Sequence, residues 1–227
     1  MMMQKHGFLR RLLICGLLLA VGVTAPTHKA AAHPHVIVEA RAEILFNEKG
    51  EVMAVRHLWR VDEAFSSFAK QGLDKDGKYT RETLQPLAEV NVKSLSEFSY
   101  FTRMKTGGKR LEFGKPENYW IDHDDKDGTL VLQFTLALAA PLPVAAAPLM
   151  IEIGDPEYFV AFEMAKAKPV ALLQARAGCE ARVREPASLD SAAASQLSRL
   201  PSSVRQLPPE LSGLTQSLFN VVIVTCS

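Results

Sequence analysis

Neither sign of charge is in excess in this sequence: 26 Lys and Arg stand against 25 Asp and Glu. That balance argues against a nucleic-acid binder and leaves no polybasic patch for a membrane surface. Catalytic signatures are also missing. There is no Ser/His/Asp order, no glycine-rich phosphate loop and no glycosidase-like pair of carboxylates, so nothing in the pattern points to an enzyme. No apolar run is long enough to span a bilayer comfortably either.

The longest apolar run is "LLICGLLLAVGV", residues 12–23, preceded by Lys5, Arg10 and Arg11 and followed by Ala30-Ala31-Ala32. Positive flank, short apolar segment and small-x-small site together predict a secretory signal peptide over residues 1–32, cut after Ala32. His33 then becomes the first residue of the mature chain; a cut a few residues away would leave it internal. Cys15 follows Ile14, not the small residue a lipobox needs, and reads as part of the leader. Four of the 26 cations and none of the carboxylates lie in residues 1–32, which leaves 22 against 25. An exported chain meets an oxidising compartment, where Cys179 and Cys226 are expected to pair and tie the end of the chain to its body.

Residues 35–46, "HVIVEARAEILF", and 51–61, "EVMAVRHLWRV", alternate with period two around Asn47-Glu48-Lys49-Gly50 and predict a β-hairpin. If Phe46 pairs with Glu51, one face gathers Val36, Val38, Ala40, Ala42, Ile44 and Phe46 with Val55, His57, Trp59 and Val61, and this is the core face. From Asp62, a plausible N-cap, the period turns helical to about Gly72, and a second helix is expected over about 80–98. Strands follow at 99–105, 109–113, 118–123, 129–138, 149–153, 157–164 and 170–184. The expected fold is α+β: one antiparallel, β-rich domain over 33–184 with a helical pair inserted at about 62–98. Residues 185–227 read as a Pro/Ser/Ala-rich connection ending in a strand, "LFNVVIVTC", that returns to the sheet.

The hairpin register places His35 opposite Asp62 at the open end, with His33 on the same face and Glu63 beside Asp62. Two imidazoles, carboxylates and the α-amine suit a borderline divalent ion such as zinc, nickel, cobalt or copper. Pro34 lacks the amide nitrogen that an amino-terminal copper or nickel clamp needs. The competing reading is a pair of exposed histidines in a fraying segment. His57 lies on the apolar face and reads as a core histidine. "IDHDDKDG", residues 121–128, gathers Asp122, His123, Asp124, Asp125 and Asp127 at a turn. It reads first as a solvated tip and, more sharply, as a second metal site at Asp122, His123 and Asp124. "GLDKDGKYTRETL" resembles a calcium loop through Asp74, Asp76, Gly77 and Glu82, but position one falls on Gly72 and position twelve on Thr83, so both end ligands are missing.

Taken together, "AHPHVIVEARAEILFNEKGEVMAVRHLWRVDEAFSSF", the EF-hand-like segment, "DPEYFVAF" and the closing "VVIVTC" resemble a periplasmic bacterial family of unassigned function. Its members are often encoded beside NicO-type nickel/cobalt permeases and include zinc-linked ZevA-type proteins. The resemblance implies a periplasmic accessory of transition-metal transport with His33 and His35 as ligands. The family's fuller loop, DxDGDGxxxxEE, is two residues longer than the one here, which makes calcium doubtful. The alternative function is a metal-free binding module that docks on an inner-membrane transporter; a copper enzyme with an amino-terminal histidine brace is a third, weaker reading.

Overall fold

In the computed structural model, residues 34–201, 204 and 206–227 are described. The predicted leader, its cut after Ala32 and His33 all lie outside them. β1 (Val36–Phe46) and β2 (Val52–Val61) form the predicted hairpin. Their alternation decides which face is covered: Ala40, Ile44, Val55, His57 and Trp59 are all buried. The register differs from the predicted one. Val38 faces Val61 and Ala42 faces His57, two residues along, with a bulge at Phe46/Val52. Asn47 accounts for one residue of the shift, its Oδ1 accepting the N–H groups of Lys49 (3.0 Å) and Glu51 (2.9 Å) and closing a turn one residue longer than the one assumed, and the bulge accounts for the other. Beyond the bulge the shift is two, so Val55, His57 and Trp59 keep the core face while the pairing at the open end changes; at the turn end the face switches, Val52 being buried and Met53 exposed.

α1 (Glu63–Ala69) and α2 (Arg81–Leu95) form the inserted pair. Between them Lys75 and Lys78 exchange backbone hydrogen bonds around Asp76 (φ 53°) and Gly77 (φ 73°). Two successive positive φ values make this a type I′ turn, for which Asp-Gly is a preferred sequence. Leu84, Ala88 and Val92 of α2 join the core. The strand expected from residue 99 starts at Thr102, because Ser99, Tyr100 and Phe101 have positive φ and fold the two rings inward.

β3 (Thr102–Thr106), β4 (Lys109–Leu111), β5 (Glu117–His123), β6 (Leu130–Leu142), β7 (Leu149–Ile153), β8 (Val160–Met164), β9 (Val170–Leu173), β10 (Cys179–Arg184) and β11 (Asn220–Cys226) complete two sheets. One runs β5-β6-β2-β1-β8, with β9 also on β1; the other runs β10-β11-β7-β3-β4. Most pairings are antiparallel. The exception is the outer edge of β1, where β8 and then β9 run parallel to it, Val36 beside Val160 and Ile44 beside Leu172. The single strand expected over 170–184 is thus two, and the chain passes from one sheet to the other between them. The inward faces of both sheets share one apolar cluster, from Ile44, Phe134 and Trp59 to Met104, Ile151 and Val222. The Pro/Ser/Ala-rich connection carries α3 (Ser191–Ser198) and α4 (Pro209–Gln216), and β11 returns to the sheet between β10 and β7. Among the described residues no helix is long and apolar enough to cross a membrane.

Candidate functional site

The entry to β1 is built by the loop before β8. Asp155 is buried, and its carboxylate accepts the N–H groups of Glu157, Phe159 and Val160 at 2.9–3.0 Å. Burial pushes the Asp155 carboxyl above its ordinary range, against these three hydrogen bonds. The loop so shaped offers its Phe159 carbonyl to the His35 N–H (2.9 Å), and the Phe159 ring stacks on the His35 imidazole at 4.3 Å. Glu157 accepts the N–H of Leu207, and the Pro156 carbonyl accepts the Thr215 hydroxyl of α4 at 2.6 Å. The "DPEYFVAF" segment is therefore an organiser of the N-terminal entry. The sequence signal that marks it is Asp-Pro, a turn initiator directly after a strand.

Asp62 does not face His35. It faces Ile37, which donates to Asp62 Oδ2 (2.9 Å), while Oδ1 caps α1 by accepting from Phe65 (2.9 Å). Both oxygens are engaged by backbone, which corrects the expected His35–Asp62 pair. Glu63 sits exposed in the first turn of α1. Asp62→Ala removes a cap and the Ile37 acceptor, and should lower stability by about 1–2 kcal/mol in a denaturant melt while leaving any metal affinity of the folded protein unchanged. Lost affinity at full stability would return Asp62 to the ligand set.

The acidic turn between β5 and β6 is a clasp. Arg60 of β2 reaches Asp124 (2.7 Å) and Asp127 (3.2 Å), and Arg81 at the start of α2 pairs with Asp122 while stacking on Trp120 (4.6 Å). Burial pushes Asp122 up, yet hydrogen bonds from Arg81, Trp120 and Gln133 and the Arg81 charge together hold it below the usual carboxylate range. Arg81 is correspondingly raised, first by its bond to Asp122. Asp124 is lowered chiefly by Arg60 and Asp127 chiefly by the Thr129 hydroxyl. His123 bridges Asp125 (2.8 Å) and the ammonium of Lys70 (3.2 Å), against the Tyr79 ring. These contacts fasten the helical pair to the sheet. Among the described residues no three of His, Cys, Asp and Glu are grouped as a metal site. Asp122, His123 and Asp124 are thus turned to separate cations. Asp74, Asp76 and Glu82 are likewise not gathered; Asp74 accepts the Gly77 N–H (3.3 Å) within the turn.

Cys179 and Cys226 are joined by a disulfide across β10 and β11. His57 is buried in the core, between Phe134 (4.9 Å) and Trp59 (5.3 Å), with desolvation lowering its pKa to about 3.

Fold and site together define a β-rich α+β scaffold with an exposed imidazole at the entry to its first strand. The chain belongs to the family described as proteins of unknown function, DUF1007, which matches residues 17–226. No functionally curated protein matches. A solved structure, AChBP from Bulinus truncatus, is 11% identical with a TM-score of 0.31, covering 84% of this chain and 85% of that one. An overlap that faint carries no argument.

Proposed function

We propose that the protein is a periplasmic accessory that binds a divalent transition metal, zinc, nickel or cobalt, and exchanges it with an inner-membrane permease of the NicO type. The supporting observation is the placement of its histidines. His57 is sealed in the core and His123 is held by Lys70 and Asp125. His35 is instead exposed at the entry to β1, steadied by Phe159. With His33 two residues before it, an α-amine if cleavage follows Ala32, and Glu63 as the carboxylate in place of Asp62, the donor set suits a borderline ion.

Calorimetric titration of zinc, nickel and cobalt into tag-free protein tests this. His33→Ala and His35→Ala should each weaken binding about tenfold or more, since the ligands of a small site act jointly. Binding should also weaken as pH falls through the ordinary imidazole range, because protons compete for the same lone pairs. Unchanged affinity in both variants would remove the site. A metal-free binding module is the second reading, supported by the engagement of both Asp62 oxygens; it requires that the wild type bind none of the three metals.

A further inference from the structure

The outer face of the second sheet carries charge in an ordered way. Across β3, β7, β11 and β10, Arg103 lies beside Glu152, Glu152 beside Val221 and Val221 beside Arg184. Two residues along, the row reads Lys105, Met150, Ile223 and Arg182, and β4 adds Arg110 next to Lys105. Residues two apart share a face, so cations line both flanks of the sheet while the middle strands supply half-buried Met150 and Ile223, with Glu152 beside them and Val221 buried beneath.

One flank is held in place. Arg103 lies over the Phe219 ring (4.7 Å), and that ring rests so closely on Gly154 that a Cβ there would meet it at 2.9 Å. Lys105 pairs with Glu152 (2.8 Å), which Arg103 also approaches at 4.0 Å. Arg182 pairs with Glu180 (2.9 Å), both exposed. Arg110 and Arg184 are exposed and make no ion pair with a described residue. The part of the trough next to Phe219 is a groove of about 550 Å³, lined by Arg103, Lys105, Glu152, Arg184 and Glu185 among others. Five cations thus face three carboxylates, although carboxylates outnumber cations in the chain after residue 32.

We propose that this trough is a docking surface for an acidic amphipathic helix of a partner protein. The width selects a helix. The rims on β3 and β10 are three strand spacings apart, about 14 Å, which admits a helix with side chains, about 10–12 Å across; a single extended strand would reach only one rim. The charge selects the sequence: an apolar stripe for Met150 and Ile223, with Asp or Glu on both sides of it to meet Lys105 and, one strand further out on β4, Arg110 on one side and Arg184 on the other. This is independent of the metal reading, whose histidines lie at the entry to β1.

The probe is a synthetic helical peptide of about 18 residues, five turns, with a leucine stripe flanked by glutamates. Its controls are a scrambled peptide of the same composition and phosphatidylglycerol vesicles. The disulfide-bonded protein should bind the amphipathic peptide, more weakly as salt rises, and should bind the scrambled one at least about tenfold more weakly. Arg110→Glu with Arg184→Glu should weaken binding about tenfold or more, and the milder pair Arg110→Gln with Arg184→Gln should weaken it less, both with unchanged melting. Equal binding of both peptides, indifference to the rim variants, or binding of vesicles without the peptide would each overturn the proposal.

Discussion

Between about pH 6.5 and pH 3, wild-type protein should lose stability more steeply than a His57→Leu variant, by about 1.4 kcal/mol per pH unit. The ring is fully buried and its pKa is lowered to about 3, by desolvation. The Thr102 hydroxyl donates to the Tyr100 carbonyl (2.8 Å), so its oxygen accepts from His57 Nε2–H (3.2 Å), and Nδ1 keeps its lone pair among aromatic rings. Neutral imidazole is tolerated there, and imidazolium is not. The unfolded chain protonates His57 from about pH 6.5 downward, while the folded chain resists until about pH 3. Stability is therefore unaffected above that window and falls through it, by up to about 5 kcal/mol in all. Leucine of similar volume removes the titration and should change neutral-pH stability by under about 1.5 kcal/mol. Urea melts at several pH values measure the difference between the two slopes, in which the shared carboxylate contribution cancels. Parallel slopes would mean that His57 takes up its proton as readily in the folded chain as in the unfolded one.

Removing the disulfide should lower stability by about 4 kcal/mol in the chain-entropy model, for a bridge spanning 47 residues. The closed loop contains the two C-terminal helices and β11, so without the bond the unfolded chain regains the freedom of that whole segment. Cys179→Ser with Cys226→Ser should melt well below the oxidised wild type, and dithiothreitol should bring the wild type down to the variant. Alkylation of unfolded, unreduced protein should modify neither cysteine. Modification of both would refute the bridge.

The two kinds of error in reading the sequence have different physical origins. Period-two alternation reports which face is buried, and it identified Ile44, Val55, His57 and Trp59 correctly. It is blind to a shift of two, so the turn made by Asn47 and the bulge beside it together moved Asp62 from His35 to Ile37 while the strand beyond the bulge kept its faces. Asp62 was legible as an N-cap from its position before the helical period. That its second oxygen receives a strand N–H was not, because the donor is 25 residues away. The acidic turn misleads for the same reason: its cations, Arg60, Lys70 and Arg81, come from β2, the C-cap of α1 and the start of α2. The parallel run of β8 and β9 along β1 leaves no local trace at all.

Among the described residues β11 is the last of eleven strands in chain order, and it sits inside its sheet, hydrogen-bonded to β10 on one side and β7 on the other. Until Asn220–Cys226 has emerged, β7 presents an unpaired edge and β10 has no strand to pair with in that sheet. Long-range pairing of this kind makes folding slow and late. A nascent chain of this design cannot lock its second sheet progressively from the amino terminus. Its second sheet stays open until β11 has been made, after all four of the strands it is built with, β3, β4, β7 and β10.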